Sequence, residues 1–211
     1  MAIGAIFLVG LISISVSRAD NLPKGKSILD RPEKTIVLNE ERVIIPQLVG
    51  EEKLKIGAVE YLALDSATLS VLEGKNYDKK RPIASLTKLM TAVVALENAE
   101  IDEIVTIKGN YDSLPPAKMG LYWGEKISLE GILNGVLINS DNDAAQAVAE
   151  YIADKTKIPF SRLMNDKAKE IGMNSTKFTN SMGLDTYDNY STAFDLALLA
   201  NYAMKNDFIS E

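Results

Sequence analysis

The chain has 211 residues, 46% apolar and 25% charged, with seven prolines and thirteen glycines; that composition excludes disorder and collagen and fits one domain preceded by an export signal. It contains neither histidine nor cysteine, which excludes a Ser/His/Asp triad, a thiolate nucleophile, a zinc finger and a disulfide, so a hydrolytic nucleophile would need some other base. The net charge of −6 gains nothing from phosphate neutralisation, and nucleic acid is not expected as a partner.

From Ile3 to Val16 the residues are almost all apolar or small, and the run breaks at Ser17-Arg18-Ala19-Asp20. It is shorter than the roughly 20 residues of a membrane-spanning helix, and Ser17 and Ala19 stand at −3 and −1 of a cut after Ala19. Residues 1–19 are therefore expected to be a signal peptide with an unusually weak positive start; an uncleaved anchor or a buried first strand are the alternatives. Residues 20–54, with Pro23, Pro32 and Pro46 among charged side chains, read as a linker holding one short strand. Its Gly25-Lys26-Ser27 lacks the upstream glycine of a phosphate-binding loop, because Asp20 stands there.

The domain proper is expected over 55–211. Ala58 to Leu64 is β-rich, Asp65-Ser66-Ala67-Thr68 has turn chemistry and Leu69 to Leu72 follows, which predicts a hairpin. After Arg81-Pro82 the period becomes helical, with Leu86, Leu89, Met90, Val93 and Val94 on one stripe and Ser85, Lys88 and Ala92 projecting beside it. Further helices are predicted near 129–138, 143–153, 160–171 and 192–205, the last opened by a capping-box-like Thr192-Ala193-Phe194-Asp195.

Ser85-Leu86-Thr87-Lys88 places a hydroxyl and an amine three residues apart at a helix start, on one face and about a turn apart. A lysine whose pKa is lowered by desolvation can take the proton of a serine hydroxyl and make it a nucleophile. Composition alone yields about one Ser-x-x-Lys in a chain of this size; here it occurs once, where the hairpin hands over to the most regular helix. Ser140-Asp141-Asn142 lies between two predicted helices. Taken alone these are turn and N-cap residues; beside a serine–lysine pair, Ser140 could pass a proton to a leaving nitrogen and Asn142 could hydrogen-bond a substrate amide.

The stretch from Ile83 to Ala92 resembles the active-site segment of serine-type D-Ala-D-Ala carboxypeptidases, the low-molecular-mass penicillin-binding proteins. Gly120-Leu121 with Gly124-Glu125, Ser140 to Ala145, Gly172 to Phe178, Asn180 with Gly183-Leu184-Asp185, and Ser191 to Leu196 resemble further segments of that family, in order, from about residue 57 onward. The resemblance implies an α/β fold of the α+β, β-lactamase/transpeptidase-like type, in which an antiparallel sheet from the first and last strands packs on helices, with a helical subdomain between. It makes Ser85 the acylated nucleophile, Lys88 the general base, Ser140 a proton relay and Asn142 a substrate-binding residue, with no cofactor and no metal. The partners it implies are peptidoglycan stem peptides ending in D-Ala-D-Ala and, as inhibitors, β-lactams, met in the periplasm or at the outer face of the cytoplasmic membrane, with peripheral membrane association.

Two departures accompany the resemblance. Ser-Asp-Asn replaces the commoner Ser-Gly-Asn and, with Glu170-Ile171-Gly172-Met173-Asn174, faintly resembles a class A β-lactamase; a helix-borne Glu170 is better read as a solvated charge. No Lys-Thr-Gly or Lys-Ser-Gly follows Ser140 in these 211 residues. In the family that motif lies on a later strand, so the expectation is a C-terminally incomplete member of impaired activity, with the closing strands missing. A class A-like β-lactamase and a non-catalytic wall-binding remnant are the alternatives.

Overall fold

The computed structural model describes residues 35–38, 41–44, 56–184 and 188–211. The expected signal peptide and the Gly25-Lys26-Ser27 segment lie outside the described residues. The described residues up to Ile44 and those from Ile56 onward belong to two different units. In the first, β1 (Thr35–Leu38) pairs antiparallel with β2 (Glu41–Ile44), Thr35 opposite Ile44 and Leu38 opposite Glu41. Where one strand was expected there are two, because each short apolar run supplies the other's ladder of backbone donors and acceptors.

The second unit begins with the expected hairpin, β3 (Tyr61–Leu64) and β4 (Val71–Lys75), antiparallel with an irregularity at Ala63/Leu64. Asp65 builds its turn, the carboxylate accepting from Thr68 N and Thr68 Oγ1 at 2.7 Å each. β5 (Arg81–Pro82) follows, then a 3-10 turn at Ala84–Leu86 that runs into α1 (Thr87–Asn98). β6 (Ile104–Thr106) pairs antiparallel with β7 (Lys126–Ser128). Ser128 then caps α2 (Leu129–Asn134), its hydroxyl accepting from Gly131 N at 3.1 Å.

α2 widens into a π-helical turn, Gly135–Asn139, which Ser140 ends in the left-handed region at φ 60°. α3 (Asn142–Thr156) and α4 (Phe160–Glu170) follow. β8 (Tyr190–Ser191) returns to β5, Arg81 opposite Ser191, and leads into α5 (Ala193–Ala203) and the short α6 (Asp207–Ser210). The described strands thus pair two by two, in four antiparallel pairs.

α1 is the centre of this unit, packed by α3, α4 and α5, while α5 also covers β3. The stripe read from the sequence is buried at Met90, Val93 and Val94, but so are Thr87, Lys88, Thr91, Ala92 and Ala95. A helix enclosed nearly all round has no solvent face to which a charged side chain can turn. Lys88 is 3% exposed, the kind of burial a lysine tolerates only with partners or with its charge removed.

Candidate active site

Ser85 sits in the 3-10 turn, exposed, with Lys88 one turn on and buried. Lys88 Nζ donates to Ser85 Oγ at 3.2 Å and to Asn142 Oδ1 at 2.9 Å. Asn142, 5% exposed in the first turn of α3, has its carboxamide fixed from the other side: Nδ2 donates to the carbonyls of Pro115 at 3.0 Å and Pro116 at 3.3 Å. Its Oδ1 is therefore the atom turned to the ammonium. The structure brings Ser85, Lys88 and Asn142 together, with the Asn142 carboxamide oxygen bonded to the lysine.

Ser140 lies on the same loop, half-buried, in left-handed backbone. Among the described residues no hydrogen bond joins its hydroxyl to Ser85 or Lys88. Glu170 is exposed at the end of α4, where it pairs with Lys167 at 2.7 Å.

Burial holds the Lys88 ammonium down, lowering its pKa to about 8, and the negative charge of Asp141 opposes that fall. At neutral pH a usable fraction of the amine is then free, which an exposed lysine does not offer. A hydroxyl beside such an amine can be deprotonated as it attacks a carbonyl, and the lysine can return the proton to a leaving group.

The Ala84–Leu86 turn that carries Ser85 is held by parts to which the sequence reading gave no role. Ala84 lies at φ 46°, and its carbonyl abuts Gly183, which is itself at φ 79°. Asn180 fixes that loop, its Oδ1 accepting from the amides of Met182 at 3.1 Å, Gly183 at 2.7 Å and Leu184 at 3.2 Å. Thr91 Oγ1 donates to Ser181 O at 2.7 Å and Asn189 Nδ2 to Thr87 Oγ1 at 3.0 Å, so the start of α1 is tied to the 180–189 segment by side chains.

Asp143 fixes the 119–121 loop, its carboxylate accepting from Met119 N at 2.8 Å, Gly120 N at 2.7 Å and Leu121 N at 3.0 Å, and from Ala144 N at 2.9 Å. Asn180, Gly183 and Asp143 all stand in segments that carry the family resemblance; their proximity to Ser85 or to the 115–121 loop is what the sequence did not reveal.

A family model described as D-alanyl-D-alanine carboxypeptidase matches residues 47–211. The chain is 34% identical over 153 residues to the D-alanyl-D-alanine carboxypeptidase DacF of Bacillus subtilis, covering 70% of this chain and 39% of that protein. Among solved structures it is similar to the D-alanyl-D-alanine carboxypeptidase DacD of Francisella tularensis, with a TM-score of 0.69, 37% identity and coverage of 78% of this chain and 41% of that one. It is similar also to penicillin binding protein 5 of Haemophilus influenzae, with a TM-score of 0.67, 30% identity and coverage of 74% and 47%. The chain thus spans less than half the length of each of these relatives, and its helices and antiparallel pairs are those of the transpeptidase-like fold.

Proposed function

Because the chain belongs to the D-alanyl-D-alanine carboxypeptidase family, we propose that it carries the nucleophile half of a serine carboxypeptidase acting on peptidoglycan stem peptides that end in D-Ala-D-Ala. Ser85 Oγ attacks the carbonyl of the penultimate D-alanine as Lys88 Nζ takes the hydroxyl proton. The peptide bond breaks, the leaving nitrogen of the terminal D-alanine receives a proton through Ser140, and water then cleaves the Ser85 ester to regenerate the hydroxyl. Asn142 holds Lys88 toward Ser85. The observation that carries this reading is the buried Lys88 Nζ at 3.2 Å from an exposed serine hydroxyl.

A β-lactam offers the same carbonyl chemistry and would end as a penicilloyl ester on Ser85. Export to the periplasm or the outer face of the cytoplasmic membrane follows from that substrate, and peripheral membrane association is part of the same proposal. Among the described residues no helix is long and apolar enough to cross a membrane. The exposed Glu170, paired with Lys167, supports a carboxypeptidase over a class A-like β-lactamase, which needs a carboxylate turned to the acyl-enzyme.

Within these 211 residues no Lys-Thr-Gly or Lys-Ser-Gly follows Ser140, and the family resemblance places one oxyanion-hole donor on that segment. A polypeptide of these residues alone is therefore proposed to acylate slowly, by about 10² to 10³-fold relative to one that includes it. The test is mass spectrometry of the protein after prolonged incubation with penicillin. A penicilloyl adduct on Ser85 that forms slowly and is absent from Ser85→Ala is expected; an adduct elsewhere, or none, overturns the reading. Rapid loss of the adduct would favour the β-lactamase. Peptidoglycan binding that survives Ser85→Ala, with no D-alanine released by the parent protein, would favour a wall-binding role.

A further inference from the structure

Among the described residues the aromatic side chains are buried or half-buried, with two exceptions that stand next to each other. Tyr122 is 66% exposed and Trp123 73%. Burial ordinarily takes such rings first, since each removes roughly 150 to 250 Å² of surface from water. These two are held out by a well-fixed turn: Glu125 N donates to Tyr122 O at 3.1 Å, Tyr122 N to Glu125 Oε2 at 3.2 Å and Gly124 N to Ile107 O at 2.9 Å, and Ile107 N donates to Glu125 O at 2.9 Å. Neither the Tyr122 hydroxyl nor the Trp123 ring N–H has a hydrogen-bond partner among the described residues.

The turn continues the loop that borders the reacting pair. Asn142, whose Oδ1 accepts from Lys88 Nζ, bonds to this loop through Nδ2 at Pro115 O and Pro116 O and through its backbone N at Ala117 O, 2.9 Å away. Asp143 holds the amides of Met119, Gly120 and Leu121, and Trp123 is two residues past Leu121, at most about 7 Å along the chain. The two rings are carried by the same loop that fixes Asn142 beside the lysine. Two side chains offer far less than the roughly 800 Å² per partner of a stable protein interface, which suits a ligand of a few rings. The charges on and beside the loop are mixed, Lys118 and Lys126 against Asp112 and Glu125, and the chain carries −6 overall, so an anionic lipid surface finds no cationic patch there. An aromatic face with a free N–H or O–H at its edge matches a sugar, which presents apolar C–H faces and a rim of hydroxyl and N-acetyl oxygens.

We propose that Tyr122 and Trp123 form a saccharide-binding subsite, which takes the N-acetylated hexose rings of the glycan strand from which the stem peptides hang. The aromatic rings stack on the C–H faces of one or two sugars, while Tyr122 Oη and Trp123 Nε1 donate to sugar oxygens. A strand held there keeps its stem peptides at raised local concentration, so the subsite favours peptides still attached to glycan over free ones. No covalent bond is made or broken at it. The inference deepens the peptidoglycan reading of the substrate and rests on it.

The chain has one tryptophan, so its fluorescence reports Trp123 alone. Titration with peptide-free glycan strands of alternating N-acetylglucosamine and N-acetylmuramic acid is expected to give a saturable change in intensity, equal in the parent protein and in Ser85→Ala. By calorimetry, Trp123→Ala and Tyr122→Ala are each expected to weaken glycan binding about tenfold, and Trp123→Phe to retain most of it. No fluorescence change at millimolar glycan, or unchanged affinity in either alanine variant, overturns the proposal. So does a change produced only by free stem pentapeptide, which would make the turn a peptide subsite, or only by phosphatidylglycerol vesicles, which would make it a membrane contact. Failure of penicillin to label Ser85 would instead sink the acylation reading and leave the glycan titration interpretable.

Discussion

Gly183 and Ala84 meet backbone to backbone. With Gly183 at φ 79°, a Cβ there would penetrate the Ala84 carbonyl and stand 2.9 Å from Thr87 Oγ1. The obstacle is main chain, which cannot swing aside as a flexible side chain can.

Gly183→Ala is therefore expected to push the Ala84–Leu86 turn away from its place and Ser85 with it. Displacement of a nucleophile by about 1 Å costs about 10²-fold in rate, and the strain destabilises the fold by about 2 kcal/mol. Penicillin acylation rates and a urea melt of the same protein check both effects. Wild-type acylation in Gly183→Ala would show that the turn is not held by this contact.

The pH dependence of acylation follows from the burial of Lys88, with its pKa near 8. Only the neutral amine can accept the Ser85 proton, so the rate is expected to climb with pH and level off above about 8. Stability follows the same group. An unfolded lysine titrates at 10.5, so between about 8 and 10.5 the unfolded chain binds the extra proton and the folded state gains stability as pH rises. Denaturant melts across that window should show the rise in the parent protein and a flattened one in Lys88→Met.

Asp143→Ala deletes the acceptor of three loop amides in one substitution. Met119, Gly120 and Leu121 would be left with unpaired N–H groups, each costing about 1 to 3 kcal/mol where water cannot reach. A total loss of about 3 kcal/mol is expected from calorimetry. Hydrogen exchange at Met119 to Leu121 should accelerate well before exchange in α1; uniform acceleration throughout would mean that Asp143 supports the whole fold and not this loop.

Glu103 joins the β6 region to α3, accepting from Tyr151 Oη and, at 2.7 Å, from Lys155 Nζ. The Lys155 and Tyr151 bonds hold its carboxyl down to about 2. A depressed carboxyl stabilises the fold fully above its unfolded pKa near 4.5 and loses that contribution as pH falls toward 2. Partial exposure limits the effect, so Glu103→Gln is expected to cost about 1 kcal/mol at pH 7 and much less near pH 2. Thermal melts at the two pH values compare the proteins.

The parts of this fold that were legible in the sequence are those whose signal is local. α3 and α4 follow from apolar periodicity, and the β3–β4 hairpin from a β-rich run ending in Asp65. Thr192 caps α5 as read, accepting from Asp195 N at 3.1 Å, but the Asp195 carboxylate does not close the box: it accepts from Ser175 N and Thr176 Oγ1 at 2.7 Å each. β5, β6, β7 and β8 have two or three residues each, too few for alternation to show, and their partners lie far along the chain. Ser85 and Lys88 were legible because their contact spans one helical turn. That Asn142 reaches Lys88 across 54 residues, or that Gly183 seats the Ala84–Leu86 turn, depends on long-range packing that no local pattern encodes.

The pairing of Arg81-Pro82 with Tyr190-Ser191 and the bond from Asn189 to Thr87, 102 residues apart in sequence, carry a kinetic consequence. Contacts of such separation close late, after local helices have formed and the loop entropy has been overcome. A chain emerging from synthesis can build α1 with Lys88 in it, yet the Ala84–Leu86 turn that carries Ser85 is seated only once the residues near 190 arrive. The proposed reactivity of Ser85 toward a β-lactam would then be a property of the closed fold, and the fraction of chains labelled would report how many have completed it.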